Sequence, residues 1–388
     1  MALNVVSSDR LSTNVKTSNF APVLSDKLGV SKNLIINGSM VVAQRGTSST
    51  TSGYGSVDRW KVSFGGTDEA VTHAQVALTS SDTGPWAEGF KKALQLTNGN
   101  QTSGAGAADY IEVDQEIEAQ NVVNSAWETT STSSYVTLSF WVKSSIAQNF
   151  YGYLRSNDNT KQLYCFQTGS LSANTWTKVT KTIPGAAAIN IDNDNGAGIL
   201  LRLLPFYGTD MTGTRPLNAW ATYDSAARTP DSTATWYTTN DSTFAITGVQ
   251  LEIGSTETGF QHRSYAEDLR LCQRYYLLVA NNNGGTASET FATGACNDVA
   301  GFHTVHTFDP EMRAKPSAEV TTGTNYFTII NNNSGDNSST GPTAVSSRSS
   351  ARHFEILWPI DSNAGTAGAG GFIYTSNNAA WVAFTAEL

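Results

Sequence analysis

The stretch that most constrains the fold is residues 248–276, GVQLEIGSTETGFQHRSYAEDLRLCQRYY, where a strand signal runs almost directly into a helix signal. Val249, Leu251 and Ile253 alternate with Gln250 and Glu252, the period-two pattern of a half-buried strand, and Gly254 closes it. After an arm centred on Phe260, the string Ser264-Tyr265-Ala266-Glu267 reads as a capping box, a hydroxyl N-cap with a carboxylate three residues on. The helix it opens carries Tyr265, Leu269, Cys272 and Tyr276 at spacings of four, three and four. That places them on one apolar stripe, expected to pack between domains or subunits. Helical periodicity is almost absent elsewhere. Residues 263–276 therefore read as a linker helix between two β domains.

The rest of the chain reads as β structure. Charged residues make up 15%, against about 25% for an average domain. Ser, Thr, Asn and Gly take their place, which suits strands and turns. Residues 33–262 read as one large, jelly-roll-like β-sandwich. Its clearest strand is 135–143, with Val136, Leu138, Phe140 and Val142 on one face and Thr137, Ser139, Trp141 and Lys143 on the other. Residues 277–388 read as a smaller C-terminal β domain with strand candidates at 302–308, 325–330, 353–358, 372–374 and 381–384. Residues 1–32 form an extended N-terminal arm. Leu3, Val5, Val6, Leu11, Phe20 and Leu24 are scattered through it without helical or strand period, so they read as anchors for a docking partner.

Several segments also resemble a family. GVQLEIG followed by HRSYAEDLRLCQRYY is similar to a segment recurring in bacteriophage tail-fibre and other virion-appendage proteins. Further matches are Asn33–Gly46 (NLIINGSMVVAQRG), Asp58-Arg59-Trp60, Met312–Pro316 (MRAKP) and the C-terminal AEL. The resemblance implies a structural, non-catalytic virion protein, a homotrimer, often glycan-binding. It implies that the arm docks on another virion protein, a tail adaptor or nozzle, and that the outer part contacts host-surface polysaccharide. A head or capsid fibre, or a decoration protein, is the alternative. The strand order is also similar to that of carbohydrate-binding-module sandwiches.

The net charge of −9 disfavours nucleic acid and anionic membranes as partners. No signal segment and no run of eighteen apolar residues is present, so synthesis in the host cytoplasm and no membrane insertion are expected. Cys165, Cys272 and Cys296 have neither disulfide-framework nor metal-ligand spacing. Glu112, Asp114, Glu116 and Glu118 share one face of the strand at 109–119, which reads as a charged, solvated outer face. Asp192-Asn193-Asp194-Asn195-Gly196 begins like a calcium loop, but its twelfth position is Leu203, so a polar turn is expected. Nothing has the context of a nucleophile elbow, an HExxH helix or a phosphate loop. No enzyme, metal or cofactor is expected. The best binding candidates are Trp220, Tyr223, Trp236 and Tyr237, aromatics in a polar stretch that either stack on a sugar face or cover the sandwich edge or a subunit interface.

Overall fold

A computed structural model describes residues 33–282, 288–331, 336–345, 348–362 and 365–388. The arm anchors Leu3, Val5, Val6, Leu11, Phe20 and Leu24 lie outside the described residues. The fold is all-β. The first domain carries twelve strands: β1 (Ser48–Ser49), β2 (Lys61–Gly65), β3 (Thr72–Ala77), β4 (Lys92–Thr97), β5 (Tyr110–Glu118), β6 (Tyr135–Ser144), β7 (Asn149–Ser156), β8 (Gln162–Ser170), β9 (Thr177–Pro184), β10 (Ala197–Tyr207), β11 (Trp220–Thr222) and β12 (Thr243–Ile253). They form two antiparallel six-stranded sheets, ordered β1-β3-β4-β12-β6-β9 and β11-β8-β7-β10-β5-β2. Among the described residues two short helices interrupt them, α1 (Ala119–Val123) and α2 (Thr235–Thr238), and α3 (Tyr265–Gln273) follows β12.

The sandwich core follows from alternation. Val136, Leu138, Phe140 and Val142 of β6 face Val113, Leu201 and Phe166 of the second sheet. The β7–β8 hairpin is invisible to a period-two reading, because its other face is buried as well. Tyr153, Leu163 and Cys165 pack there with Leu200, Leu204, Tyr207 and Met211. A strand covered on both faces loses its alternation.

Two glycines show how the strand opening the 248–276 stretch is held. Gly248 has φ +63° at a bulge in the β12–β6 register, and a Cβ there would lie 2.6 Å from the Phe90 ring. Gly38 lies against the Val249 carbonyl, where a Cβ would come within 2.0 Å. Only glycine fits either position. Asn33 then bridges to Glu252, so the segment beginning at residue 33 is laced to β12.

The C-terminal domain carries β13 (Tyr276–Asn281), β14 (Thr290–Cys296), β15 (Gly301–Thr307), β16 (Ser317–Val320), β17 (Phe327–Asn331), β18 (Asp336–Ser339), β19 (Ala344–Val345), β20 (His353–Pro359), β21 (Gly370–Thr375) and β22 (Trp381–Thr385). They form a three-stranded sheet, β13-β22-β16, and a seven-stranded sheet, β18-β17-β21-β14-β15-β20-β19. A second core of Phe302, Phe327, Ile329, Trp358, Ile373 and Phe384 lies between them.

The linker helix forms with its capping box. Ser264 Oγ accepts from the Glu267 amide at 3.3 Å, and Glu267 Oε2 accepts from the Ser264 amide at 2.7 Å. The expected stripe is corrected. Tyr265 is 59% exposed and Leu269 only half-buried; the inward residues are Asp268 and Cys272. Tyr276 is buried, but the helix ends at Gln273, so Tyr276 belongs to strand β13. Asp268 faces inward with Arg263 3.6 Å from its carboxylate, so a charged residue takes the inward position that the apolar stripe was expected to fill.

The acidic face of β5 is also corrected. Glu112, Asp114 and Glu118 are all under 10% exposed. They are buried beneath loops, helices and arginines rather than solvated.

Candidate functional site

Segments far apart in sequence converge where the two domains meet. Gln44 and Arg45 belong to the stretch at 33–46, Arg59 follows Asp58, Arg313 lies in MRAKP, and Glu387 in the C-terminal AEL. Arg59 is fully buried, pairs with Glu387, donates to the Glu116 carbonyl at 2.7 Å and stacks 3.5 Å over the Tyr275 ring. Arg45 reaches the same Glu387 at 3.1 Å. Arg313 donates to the carbonyls of Ala386 at 2.7 Å, Glu387 at 3.0 Å and Asn195 at 2.9 Å. Gln44 donates to the Tyr276 carbonyl at 2.8 Å. Glu118 accepts from both Arg274, at 2.7 and 2.8 Å, and Tyr275. Burial alone would raise the Glu118 carboxyl, but these bonds outweigh it and hold it below its ordinary value. Every charge here is matched by an opposite charge or a carbonyl. The joint is a clamp of ion pairs and carbonyl hydrogen bonds between distant segments.

The surface with binding chemistry is the outer face of the first sheet. Its residues come from the polar side of β6 and the facing side of β9. Trp141 stands opposite Lys178 across the β6–β9 register. Segment 79–90 folds over this face and supplies Asp82, Trp86 and Glu88. Trp141 Nε1 donates to Glu88 at 3.0 Å, and Trp176 Nε1 donates to Asp82 at 2.9 Å. Lys143 pairs with Asp82 at 2.9 Å; Lys178 bridges Glu88 at 3.0 Å and Glu257 at 2.5 Å. Lys91 lies 3.2 Å over the Trp86 ring. Burial pushes Asp82 up, but hydrogen bonds from Lys143 and Trp176 prevail and bring it down to about 2. Trp86, Trp141 and Trp176 are all half-buried, so each keeps part of its ring in solvent.

A groove of about 530 Å³ runs beside these rings, lined by Glu88, Lys178, Glu257, Thr258, Phe260 and His262. Phe260 packs edge-on to Phe90 at 4.8 Å, and His262 Nε2 donates to the Glu88 carbonyl at 2.8 Å. Rings held in place beside carboxylates, ammonium groups and the Thr180 hydroxyl offer both an apolar platform and directional hydrogen bonds.

The aromatics expected from sequence are not brought together. Trp236 and Tyr237 are fully buried. Trp236 Nε1 donates to the Thr243 carbonyl at 2.9 Å, and Tyr237 stacks on Phe206 at 4.2 Å while its hydroxyl donates to Asp109 at 2.9 Å. Helix α2 plugs the sandwich with both rings, so neither can touch a ligand. Trp220 sits on edge strand β11, 5.5 Å from Tyr164, with its Nε1 donating to the Pro184 carbonyl at 2.6 Å. Tyr223 is half-buried over the second sheet, with Arg155 at 5.1 Å. Trp141 and Trp176 are what the sequence reasoning passed over. Their signal was present: Trp141 falls on the polar parity of β6, where an aromatic has no core to enter.

The acidic residues of β5 face the opposite side of the molecule. Arg202 binds Asp114 through both arms, at 2.6 and 2.5 Å, and Glu112 at 2.7 Å, and donates to Tyr153 and Tyr207 at 2.9 and 3.1 Å. Burial first, then the neighbouring Asp114, pushes Glu112 up to about 7 despite Arg202. The Asp192–Gly196 stretch is a polar turn in which Gly196 N donates to Asp194 at 2.8 Å. Among the described residues no group of three or more His, Cys, Asp or Glu is placed to hold a metal, and no helix is long and apolar enough to cross a membrane.

No protein-family model and no curated protein matches the sequence. Among solved structures, the chain is similar to the enzymatically active domain of tailspike protein 4 of bacteriophage CBA120 at 14% identity and TM-score 0.29, covering 57% of this chain and 21% of that one. It is similar to the N-terminal cellulose-binding domain of Cellulomonas fimi β-1,4-glucanase C at 11% identity and TM-score 0.27, covering 56% of this chain and 99% of that one. It is also similar to a family 11 carbohydrate-binding module from Clostridium thermocellum at 11% identity and TM-score 0.25, covering 55% and 98%. The chain thus spans about a fifth of the tailspike domain. Likeness at this level carries no functional argument, and the all-β sandwich stands on the strand pairing itself.

Proposed function

We propose that this chain is a non-enzymatic phage appendage, a homotrimeric tail fibre that docks through residues 1–32 and contacts host-surface polysaccharide. The observation that carries the glycan contact is the outer face of the first sheet. Trp86, Trp141 and Trp176 keep ring surface in solvent there, beside the groove lined by Phe260 and Glu257. The tail-fibre assignment rests on the sequence resemblance, and the residues of that resemblance build the joint. The acidic pair Glu112 and Asp114 is tied to Arg202 rather than set across a cleft. One observation favours the structural head-fibre reading: both mapped indole N–H groups of the sheet face, those of Trp141 and Trp176, are already satisfied within the chain.

One reconstitution experiment separates these readings. Particles assembled with Trp141→Ala protein should carry normal copy number yet adsorb to host cells at least about tenfold less. Protein lacking residues 1–32 should fold but fail to incorporate. Normal adsorption by Trp141→Ala particles overturns the sheet face as the contact. Normal incorporation of the truncated chain overturns the docking arm.

A further inference from the structure

The three-stranded sheet of the C-terminal domain turns one face toward the sandwich, and strand register decides what that face holds. Leu278, Ala383 and Glu319 form one row across β13, β22 and β16, and Tyr276, Thr385 and Ser317 form the next. Trp381 ends the face, opposite Asn281. Ala383 is the small, fully buried member of its row, and Leu278 and Glu319 on either side of it line a hollow. Residues 44–55 of the sandwich stand over this hollow. The two walls enclose a cleft of about 490 Å³, whose lining includes Gln44, Arg45, Tyr54, Glu319, Trp381 and Thr385. That volume lies within the range of about 300–1,000 Å³ typical of small-molecule sites.

Two half-buried side chains in the cleft have no hydrogen-bond, ion-pair or ring partner among the described residues. The Glu319 carboxylate makes no hydrogen bond or ion pair among the described residues. The Trp381 indole makes no ring contact there, and its N–H has no acceptor. The cation of the cleft is committed. Arg45 pairs with Glu387 at 3.1 Å, donates to Thr385 Oγ1 at 3.3 Å and lies 3.5 Å over the Tyr276 ring. What remains on offer is an aromatic face, a carboxylate acceptor and the Thr385 hydroxyl; Gln44 is taken up by Asp58, the Tyr276 carbonyl and the Leu278 amide.

We propose that this cleft is a second carbohydrate subsite, built jointly by both domains, that takes a neutral pyranose unit. The C–H face of a pyranose stacks on an indole, and neighbouring hydroxyls donate to a carboxylate. A uronic acid would set its own carboxylate against Glu319 with no free cation to offset it. The inference rests on the glycan-binding reading but on different residues. Because the occupant touches both domains, it stabilises their docked arrangement by mass action.

The test uses the full chain with methyl glucopyranoside, N-acetylglucosamine and glucuronic acid as probes, followed by saturation-transfer NMR and thermal unfolding. The neutral pyranoses should show transfer and raise Tm, and glucuronic acid should do neither. Glu319→Gln should weaken binding by about tenfold or more with Tm of the free chain unchanged, and Trp381→Ala should abolish it. Made in a Trp141→Ala background, where the sheet face no longer contributes, both cleft substitutions should lower pyranose binding by the same factors. No transfer from neutral pyranoses at millimolar concentration overturns the proposal, as does equal binding by Glu319→Gln and Trp381→Ala proteins. Polysaccharide binding lost in Trp141→Ala alone leaves the sheet-face reading standing and this one fallen; pyranose binding lost only in the cleft variants does the reverse.

Discussion

The two outer faces of the sandwich start from the same pattern and end differently. On β6 of the first sheet, Trp141 and Lys143 alternate with core residues; on β5 of the second, Glu112 and Asp114 do. The first face is roofed only in part, by segment 79–90, and its tryptophans and lysines stay half-exposed. The second is sealed. Met211, Leu217 and Tyr223 pack over Tyr153, Leu163 and Tyr207, and Arg202 is closed in with its two carboxylates. Polar residues on an outer face thus become a binding surface or a buried charge network according to what covers them. Water decides the energetics. Exposed ion pairs contribute about 0–1 kcal/mol, whereas a buried pair that loses one partner strands an uncompensated charge.

The largest expected effect breaks the sealed face. Arg202→Met leaves Glu112 and Asp114 buried without their cation and should cost about 3–5 kcal/mol, read as a loss of urea midpoint at pH 8. The matched change on the open face, Lys178→Ala, should cost less than about 1 kcal/mol. Equal costs would mean that the two faces are equally wet.

The next contrast sets one tryptophan against another. Trp236→Ala removes a fully buried ring and should cost about 3–5 kcal/mol. The Trp141→Ala protein should melt within a few degrees of the parent, because its ring lies outside the core. Calorimetry on both proteins checks this. A Trp236→Ala protein that stays stable and loses glycan binding would restore α2 as a contact site.

The last contrast is a pH dependence on the sealed face. The folded Glu112 carboxyl is raised from its ordinary 4.5 to about 7, so the folded state favours its protonated form. Its contribution to stability is full below about 4.5 and is lost as pH rises toward 7. Thermal scans should show Tm falling between pH 5 and pH 8, and Glu112→Gln should flatten that slope. A parent protein with no slope, or a variant with the same slope, would put the titrating charge elsewhere.

Much of the architecture was legible because it is local. The capping box at Ser264 and Glu267 forms as read, since its two hydrogen bonds join residues three apart. The β6 and β12 strands form as read, since their apolar residues alternate, although Gln250 and Glu252 of β12 are buried as well. The hairpin of β7 and β8 was not legible, because a distant loop buries its second face. The candidate site was mostly missed. Trp236 and Tyr237 sit in a polar-looking stretch but plug the core, while Trp141 sits in the clearest strand but faces outward.

What the sequence by itself determined is the set of elements: strand periodicity, turn glycines such as Gly248 and the cap of α3. These follow from chain-local sterics and hydrogen bonds. What only the tertiary structure decided is the meaning of the charged and aromatic residues between them. Arg59, Arg313 and Glu387 become one clamp, Asp268 takes the inward face of α3, and Arg202 seals two carboxylates from water. The worth of a charge or a ring depends on the solvent around it, and that solvent is displaced by residues hundreds of positions away.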